Sequence, residues 1–129
     1  MAITITIPST GQQVIVNAGP TLKSLGTDVV LLDGSSQIIH EQPGGATSQL
    51  AGYIDLSNLI HGDTVVIRFL VRLIVGGLWG ACYEETYSGV QSLPIIHVAK
   101  RPENHGIKVI IQQTTGIPKS ITYEFFEES

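Results

Sequence analysis

The chain has 129 residues, of which 43% are hydrophobic and only 14% are charged, and its formal net charge at pH 7 is -4. The length predicts a single domain over residues 1–129. Because an average soluble chain is about 25% charged, the low charge predicts that other protein covers part of the surface. The negative net charge, with cations scattered along the chain, argues against a nucleic-acid partner.

Two further features concern the membrane and the compartment. The longest apolar run, over residues 65–75, contains Arg68 and Arg72 and is much shorter than the roughly 20 residues that a spanning helix needs, so we expect no membrane insertion. The N-terminus alternates Ile and Thr and does not have the pattern of a signal peptide. The lone cysteine, Cys82, excludes an internal disulfide and fits synthesis in a reducing cytoplasm.

The pattern of apolar residues predicts an all-β chain. β-Branched residues are abundant, and no window has the 3.6-residue period of a helix. About nine or ten strands at regular spacing indicate an antiparallel β-sandwich or jelly roll with little or no helix. Asp33 and Gly34 predict a hairpin between two of these strands. In chain order, the predicted strands are 2–7, 13–17, 29–32, 37–41, 53–56, 62–75, 79–87, 93–99, 107–113 and 120–127.

The longest predicted strand, 62–75, has two different faces. Its odd positions from 65 to 75 are all apolar, which predicts a face in the core. Its even positions mix aliphatic residues with arginines, a combination that is typical of an intersubunit surface. The alternative is a solvated outer face whose arginines pair with Glu84 or Glu85. The predicted interface residues are Val66, Arg68, Leu70, Arg72 and Ile74.

The next strand carries three aromatic residues on one face: Trp79, Tyr83 and Tyr87. A two-residue turn at positions 76 and 77 would place Arg68 opposite Glu85 and put the aromatics beside the arginines. A three-residue loop with a bulge would flip the strand, so that the aromatics join Phe69 in the core and Glu84 lies between the arginines. The second register is favoured because burial of three aromatics is stabilising. If the aromatics instead face outward, they could stack on sugar rings, and the chain would be a carbohydrate- or cell-surface-binding module.

Residues that could carry catalysis or bind a metal show no recognisable spacing. The histidines lack ligand spacing, so no metal site and no cofactor are predicted. Cys82, on a strand among apolar residues, is interpreted as a small buried hydrophobe. The pairs Glu84-Glu85 and Glu127-Glu128 point to opposite faces of their strands and do not form an acid–base pair. We therefore predict that the protein is not an enzyme. The four histidines are His40, His61, His97 and His105.

Three short segments punctuate the strands over residues 55–127: Gly62-Asp63-Thr64, Glu85-Thr86-Tyr87-Ser88-Gly89, and the stretch 112–116. In this strand-and-turn pattern the chain resembles the small β-sandwich proteins of virus and phage particles, in particular those that decorate capsids. The resemblance implies a structural protein that forms homo-oligomers or docks on a larger shell through sheet faces and edges. It also implies a final location in a virion or another extracellular assembly.

Overall fold

The computed structural model describes residues 2–6, 13–17, 22–45 and 48–128. Within these ranges the regular elements are all strands, so the predicted all-β sandwich is confirmed. None of the described residues form a helix that is long and apolar enough to cross a membrane. The strands are β1 (Ala2–Thr6), β2 (Gln13–Asn17), β3 (Leu22–Leu32), β4 (Gln37–Gln42), β5 (Gln49–Asp55), β6 (Thr64–Val71), β7 (Gly80–Ser88), β8 (Ile95–Pro102), β9 (Ile107–Thr115) and β10 (Lys119–Glu128).

Eight of these strands form two antiparallel four-stranded sheets. The first has the order β3-β10-β5-β8 and the second has the order β4-β9-β6-β7, while β1 and β2 pair with each other in a separate sheet. From β3 to β10, each connection passes from one sheet to the other, except that β6 and β7 are neighbours in the second sheet. Two packed sheets with this order are a jelly roll.

The core lies between the two sheets and is built by alternation along the strands. Val65, Ile67 and Phe69 point inward from β6 and are almost completely buried. Burying one such side chain contributes roughly 1.5–3 kcal/mol. Their buried partners come from both sheets: Leu32, Ile39, Leu50, Ile54, Leu56, Leu59, Val98, Ile107, Val109, Ile111, Ile121 and Phe125.

The predicted hairpin at Asp33 and Gly34 is wrong, because β3 and β4 belong to different sheets. The turn itself forms: the backbone N–H and the hydroxyl of Ser35 donate to Asp33 Oδ1 at 3.0 and 2.5 Å. These local bonds favour a tight turn, but they do not determine which sheet the next strand joins. Here the turn carries the chain across the sandwich.

Three strand boundaries differ from the prediction by four residues or more. β5 begins at Gln49 rather than at position 53. The predicted strand 62–75 ends at Val71, and residues 72–79 form a loop. β3 begins at Leu22 rather than at position 29. Position 7, the last residue of the first predicted strand, lies outside the described residues. The alternation of apolar residues continues past Val71, so the pattern alone could not reveal where pairing with β7 and β9 stops.

The register between β6 and β7 places Arg68 opposite Glu84 and Phe69 opposite Tyr83. Neither predicted register is observed, because the favoured one placed Glu84 between Arg68 and Arg72 and the other placed Arg68 opposite Glu85. The side of the strand that the favoured register gave to Tyr83 and Tyr87 is nevertheless correct, since both lie on the core-facing side of β7. One extra residue, Cys82, interrupts the register, since Leu70 pairs with Ala81. Because of this β-bulge, the alternation of side chains between the two faces of the sheet is shifted by one residue at the start of β7.

Candidate functional site

The loop between β6 and β7 exposes a cluster of aliphatic side chains. We call residues 72–79 the apolar loop. A turn closes it, in which Gly77 N donates to Ile74 O at 2.9 Å. Beside it lies a cleft of about 430 Å³ whose lining runs from Val71 to Cys82. Large exposed apolar patches are common at protein–protein and ligand-binding surfaces. The exposed fractions are 83% for Leu73, 72% for Ile74, 54% for Val75 and 96% for Leu78.

Arg72 holds the base of the apolar loop against neighbouring loops. Its Nε donates to His105 O at 2.8 Å, and its Nη2 donates to Pro43 O. The guanidinium also lies 4.6 Å from the centre of the Trp79 ring, and Lys108 Nζ lies 4.5 Å from the same ring. Arg72 is thus engaged within its own chain, and its cation–π contact orients Trp79. The side chains that remain free for a partner are the aliphatic ones.

The outer face of β6 places the other predicted interface residues differently. Val66 is only 8% exposed, and Arg68 Nε donates to Glu84 Oε1 at 2.7 Å. Leu70 is partly exposed. Of the five predicted residues, Ile74 presents most of its side chain to solvent, and it does so from the apolar loop rather than from the strand. The ion pair of Arg68 agrees with the alternative of a solvated outer face.

The three aromatics of the proposed sugar-binding row do not share one surface. Tyr83 packs edge-on against Phe69 with ring centres 5.4 Å apart, and Tyr87 is half-buried against the core. Trp79 instead lies between Arg72 and Lys108. The bulge at Cys82 separates Trp79 from the two tyrosines. The extra residue shifts the alternation, so that positions before Cys82 point to the opposite side of the strand from the one they would otherwise occupy. The row is therefore not formed.

Cys82 is exposed, so its interpretation as a buried hydrophobe was wrong. The residue is the bulged position of β7, which is the last strand in the described order of its sheet, and it has no paired residue on β6.

A small cavity of about 150 Å³ lies between the edges of the two sheets, at β7 and β8. Tyr83, Tyr87 and Arg101 line it. The guanidinium of Arg101 lies 4.4 Å from the centre of the Phe69 ring and 4.8 Å from that of Tyr83. Burial, and then the charge of Glu85, raise the pKa of Tyr83 above its ordinary value.

A buried polar cluster lies where β4, β10 and the loop after β8 meet. It contains His40, Glu103 and Glu127, whose ligand-type atoms all lie within 4.8 Å of one another. The sequence pattern did not indicate this cluster, because the three residues are far apart in the chain and no spacing rule connects them. The sequence shows only that His40 and Glu127 lie in predicted strands and that Glu103 lies near the end of another, which does not indicate that they meet.

Comparisons with known proteins give one weak structural similarity and no match in sequence. No protein-family model matches the sequence, and no curated protein matches it. Among solved structures, the chain is similar to the VP2 subviral particle of infectious bursal disease virus, with 10% sequence identity and a TM-score of 0.47. The match covers 98% of this chain and 37% of that chain, so the chain spans little more than a third of the length of the viral protein.

Proposed function

We propose that the protein is a structural subunit that assembles with copies of itself, as a component of a virion or a comparable particle. The observation that carries the proposal is the apolar loop, which exposes four aliphatic side chains on a chain that is only 14% charged. The proposed role involves protein–protein contact and no catalysis.

A second copy suits this surface because the molecule presents a projection and a hollow side by side. Leu73 and Leu78 are highly exposed and also form part of the lining of the 430 Å³ cleft, so the exposed side chains and the hollow belong to one apolar segment. A surface that is self-complementary in this way can pair with its own copy about a two-fold axis. Burial of the exposed side chains would contribute roughly 25 cal/mol for each Å² removed from water.

The edge of the first sheet offers a second surface for assembly. Among the described strands, β3 pairs with β10 alone, and most of its residues are exposed. An edge strand has unpaired backbone N–H and C=O groups that can add a strand from another molecule. Its exposed aliphatic residues are Leu22, Leu25, Val29 and Leu31. Contacts at this edge could extend a dimer into a larger shell.

The double variant Leu73→Ser/Leu78→Ser tests the proposal. The control is Val90→Ser/Leu93→Ser, which removes two aliphatic side chains that are 75% and 80% exposed outside the apolar loop. Sedimentation velocity over a hundredfold range of concentration should show oligomers for the wild type and the control. The loop variant should be monomeric, with an unchanged β circular-dichroism spectrum.

Two results would contradict this proposal. A wild-type protein that stays monomeric at the highest concentration has no self-association to explain. Equal oligomerisation of the loop variant and the control would show that the apolar loop is not the contact surface.

A further inference from the structure

The cluster of His40, Glu103 and Glu127 lies outside the surfaces discussed above and joins the two sheets. His40 is on β4 of the second sheet, Glu127 is on β10 of the first, and Glu103 directly follows β8. The side chain of Glu103 is completely buried, and that of His40 is 10% exposed. Elements from both sheets therefore bring three potential ligand atoms within 4.8 Å of one another, around the buried carboxylate of Glu103.

The charges in this cluster are unbalanced. Two carboxylates lie close together, and within the described residues the only ion pair of Glu103 is with His40. Even a protonated His40 would leave one negative charge in excess. A buried carboxylate that lacks full compensation is costly, and proteins meet this cost with a cation or a proton. A divalent ion would neutralise both carboxylates.

The separation of two of these atoms is that of a long hydrogen bond, and it also equals the separation of two ligands that share one ion. His40 Nε2 and Glu103 Oε2 are 3.4 Å apart. Charge-assisted hydrogen bonds between such groups are usually about 2.7–2.9 Å long. Two ligands of one tetrahedral Zn²⁺, each bound at about 2.0–2.2 Å, are separated by roughly 3.3–3.6 Å.

Neighbouring side chains orient each of the three residues. Ser48 Oγ donates to Glu103 Oε1 at 2.8 Å, and Gln42 Nε2 donates to Glu127 Oε1 at 3.4 Å. The ring of His40 packs 5.4 Å from the centre of the Phe125 ring. Supporting contacts of this kind are typical of metal ligands, whose orientation they determine. In addition, the half-buried Glu127 can rotate about its side-chain bonds to approach the other two residues.

We propose that His40, Glu103 and Glu127 bind a structural first-row divalent metal ion, for which Zn²⁺ is the probe. Imidazole and carboxylate together suit Zn²⁺, whereas Ca²⁺ and Mg²⁺ prefer oxygen ligands alone. Water would complete the coordination. The ion would fasten β4 to the β8–β10 side of the sandwich and would stabilise the folded chain by its binding free energy. This site is independent of the proposed assembly surface.

Isothermal titration of chelator-treated, refolded full-length protein with ZnCl2, in excess CaCl2 and MgCl2, tests the site. The wild type should bind one Zn²⁺ per chain, and its melting temperature should rise with Zn²⁺. Glu103→Gln and Glu127→Gln keep the side-chain size and remove a charged ligand. Since loss of a supporting residue alone weakens metal binding about 10–100-fold, each variant should weaken it at least 100-fold.

The matched control is His97→Gln, which removes an exposed histidine whose ring lies 5.3 Å from Tyr53. Its Zn²⁺ affinity should equal that of the wild type. Absence of one-to-one binding at millimolar Zn²⁺ would overturn the proposal. Unchanged affinity in both glutamate variants would overturn it as well. Should Glu103→Gln fail to fold, Glu127→Gln still decides the question.

Discussion

Asp63 and Glu103 are two carboxylates that the fold withdraws from water while keeping them ionised. The backbone N–H of Ile60 donates to Asp63 Oδ2 at 2.7 Å and the Lys119 ammonium binds the same oxygen; together they hold the pKa of Asp63 below its usual range. For Glu103, burial opposes ionisation, but the hydrogen bonds from His40 and Ser48 outweigh it and lower the pKa. Both carboxylates therefore stabilise the fold in their charged form.

From these two lowered pKa values we predict that the protein loses stability in acid. A carboxyl whose pKa is lower in the folded state binds fewer protons there than in the unfolded state, so its stabilising effect is complete above the unfolded pKa of about 4. The effect disappears as the pH falls through the folded-state pKa. Each tenfold difference in acid dissociation constant between the two states corresponds to about 1.4 kcal/mol. Urea unfolding midpoints in EDTA should be similar at pH 7 and 5 and should fall between pH 4 and 2.

Asp63→Asn provides the comparison for this acid transition. The variant should be less stable at pH 7, and its midpoint should depend less on pH below 4. A wild-type midpoint that rises or stays constant from pH 5 to 2 would contradict the assignment of these carboxylates.

Gly116 lies against the Asp63 carboxylate, and we predict that Gly116→Ala is strongly destabilising. Its φ is +116°, and an added Cβ would overlap Asp63 Oδ1 and lie 2.7 Å from Gln113 Nε2. Gly62→Ala is the matched control, since Gly62 has φ +95° and nothing within 4 Å of the added Cβ. Backbone strain alone costs about 1–3 kcal/mol, so chemical denaturation should give that loss for Gly62→Ala and a larger one for Gly116→Ala. Equal losses would show that the space beside Asp63 is not restricted.

At the scale of elements, the β6–β7 hairpin shows how one residue reorganises a surface. The bulge at Cys82 separates Trp79 from Tyr83 and Tyr87, although all three share one face in an ideal strand. The end of strand pairing at Val71 then converts the predicted end of a core strand into the exposed apolar loop. The alternation of apolar residues predicted that Leu73 and Val75 face the core. They face solvent instead, because the strand has already ended.

Most of the strands could be predicted from the sequence because alternation records which face of a strand is buried. The β9 residues Ile107, Val109 and Ile111 alternate with less buried positions and are fully buried, as the pattern indicates. The polar cluster could not be predicted in this way. His40 and Glu103 are brought together by the packing of two sheets, and no local period carries information about that contact.

At the scale of the whole molecule, pairing between distant segments dominates the jelly roll. β10 lies between β3 and β5, and β9 lies between β4 and β6, so neither four-stranded sheet is complete until these last two strands are in place. Within the two four-stranded sheets, β6 and β7 supply the local pairing between consecutive strands. The entropy of closing long loops must be lost before such contacts stabilise the chain.

We therefore predict slow refolding, on the millisecond-to-second scale that is typical of sandwiches with non-local pairing. Stopped-flow dilution from urea, followed by the fluorescence of Trp79, measures the rate. A brief unfolding pulse before refolding leaves the prolines in their native isomers and separates proline isomerisation from the main phase. Complete recovery of the native signal in less than a millisecond would contradict the prediction.

The sequence by itself determined the all-β class, most of the strand positions and the shortage of charge, because alternation, β-branching and composition are properties of local segments. Only the tertiary structure decided that Asp33 and Gly34 lead to the opposite sheet, that residues 72–79 leave the sandwich, and that His40 meets Glu103 and Glu127. Those outcomes depend on how two twisted sheets pack over a common core. Packing selects among arrangements that local interactions leave almost equal in free energy.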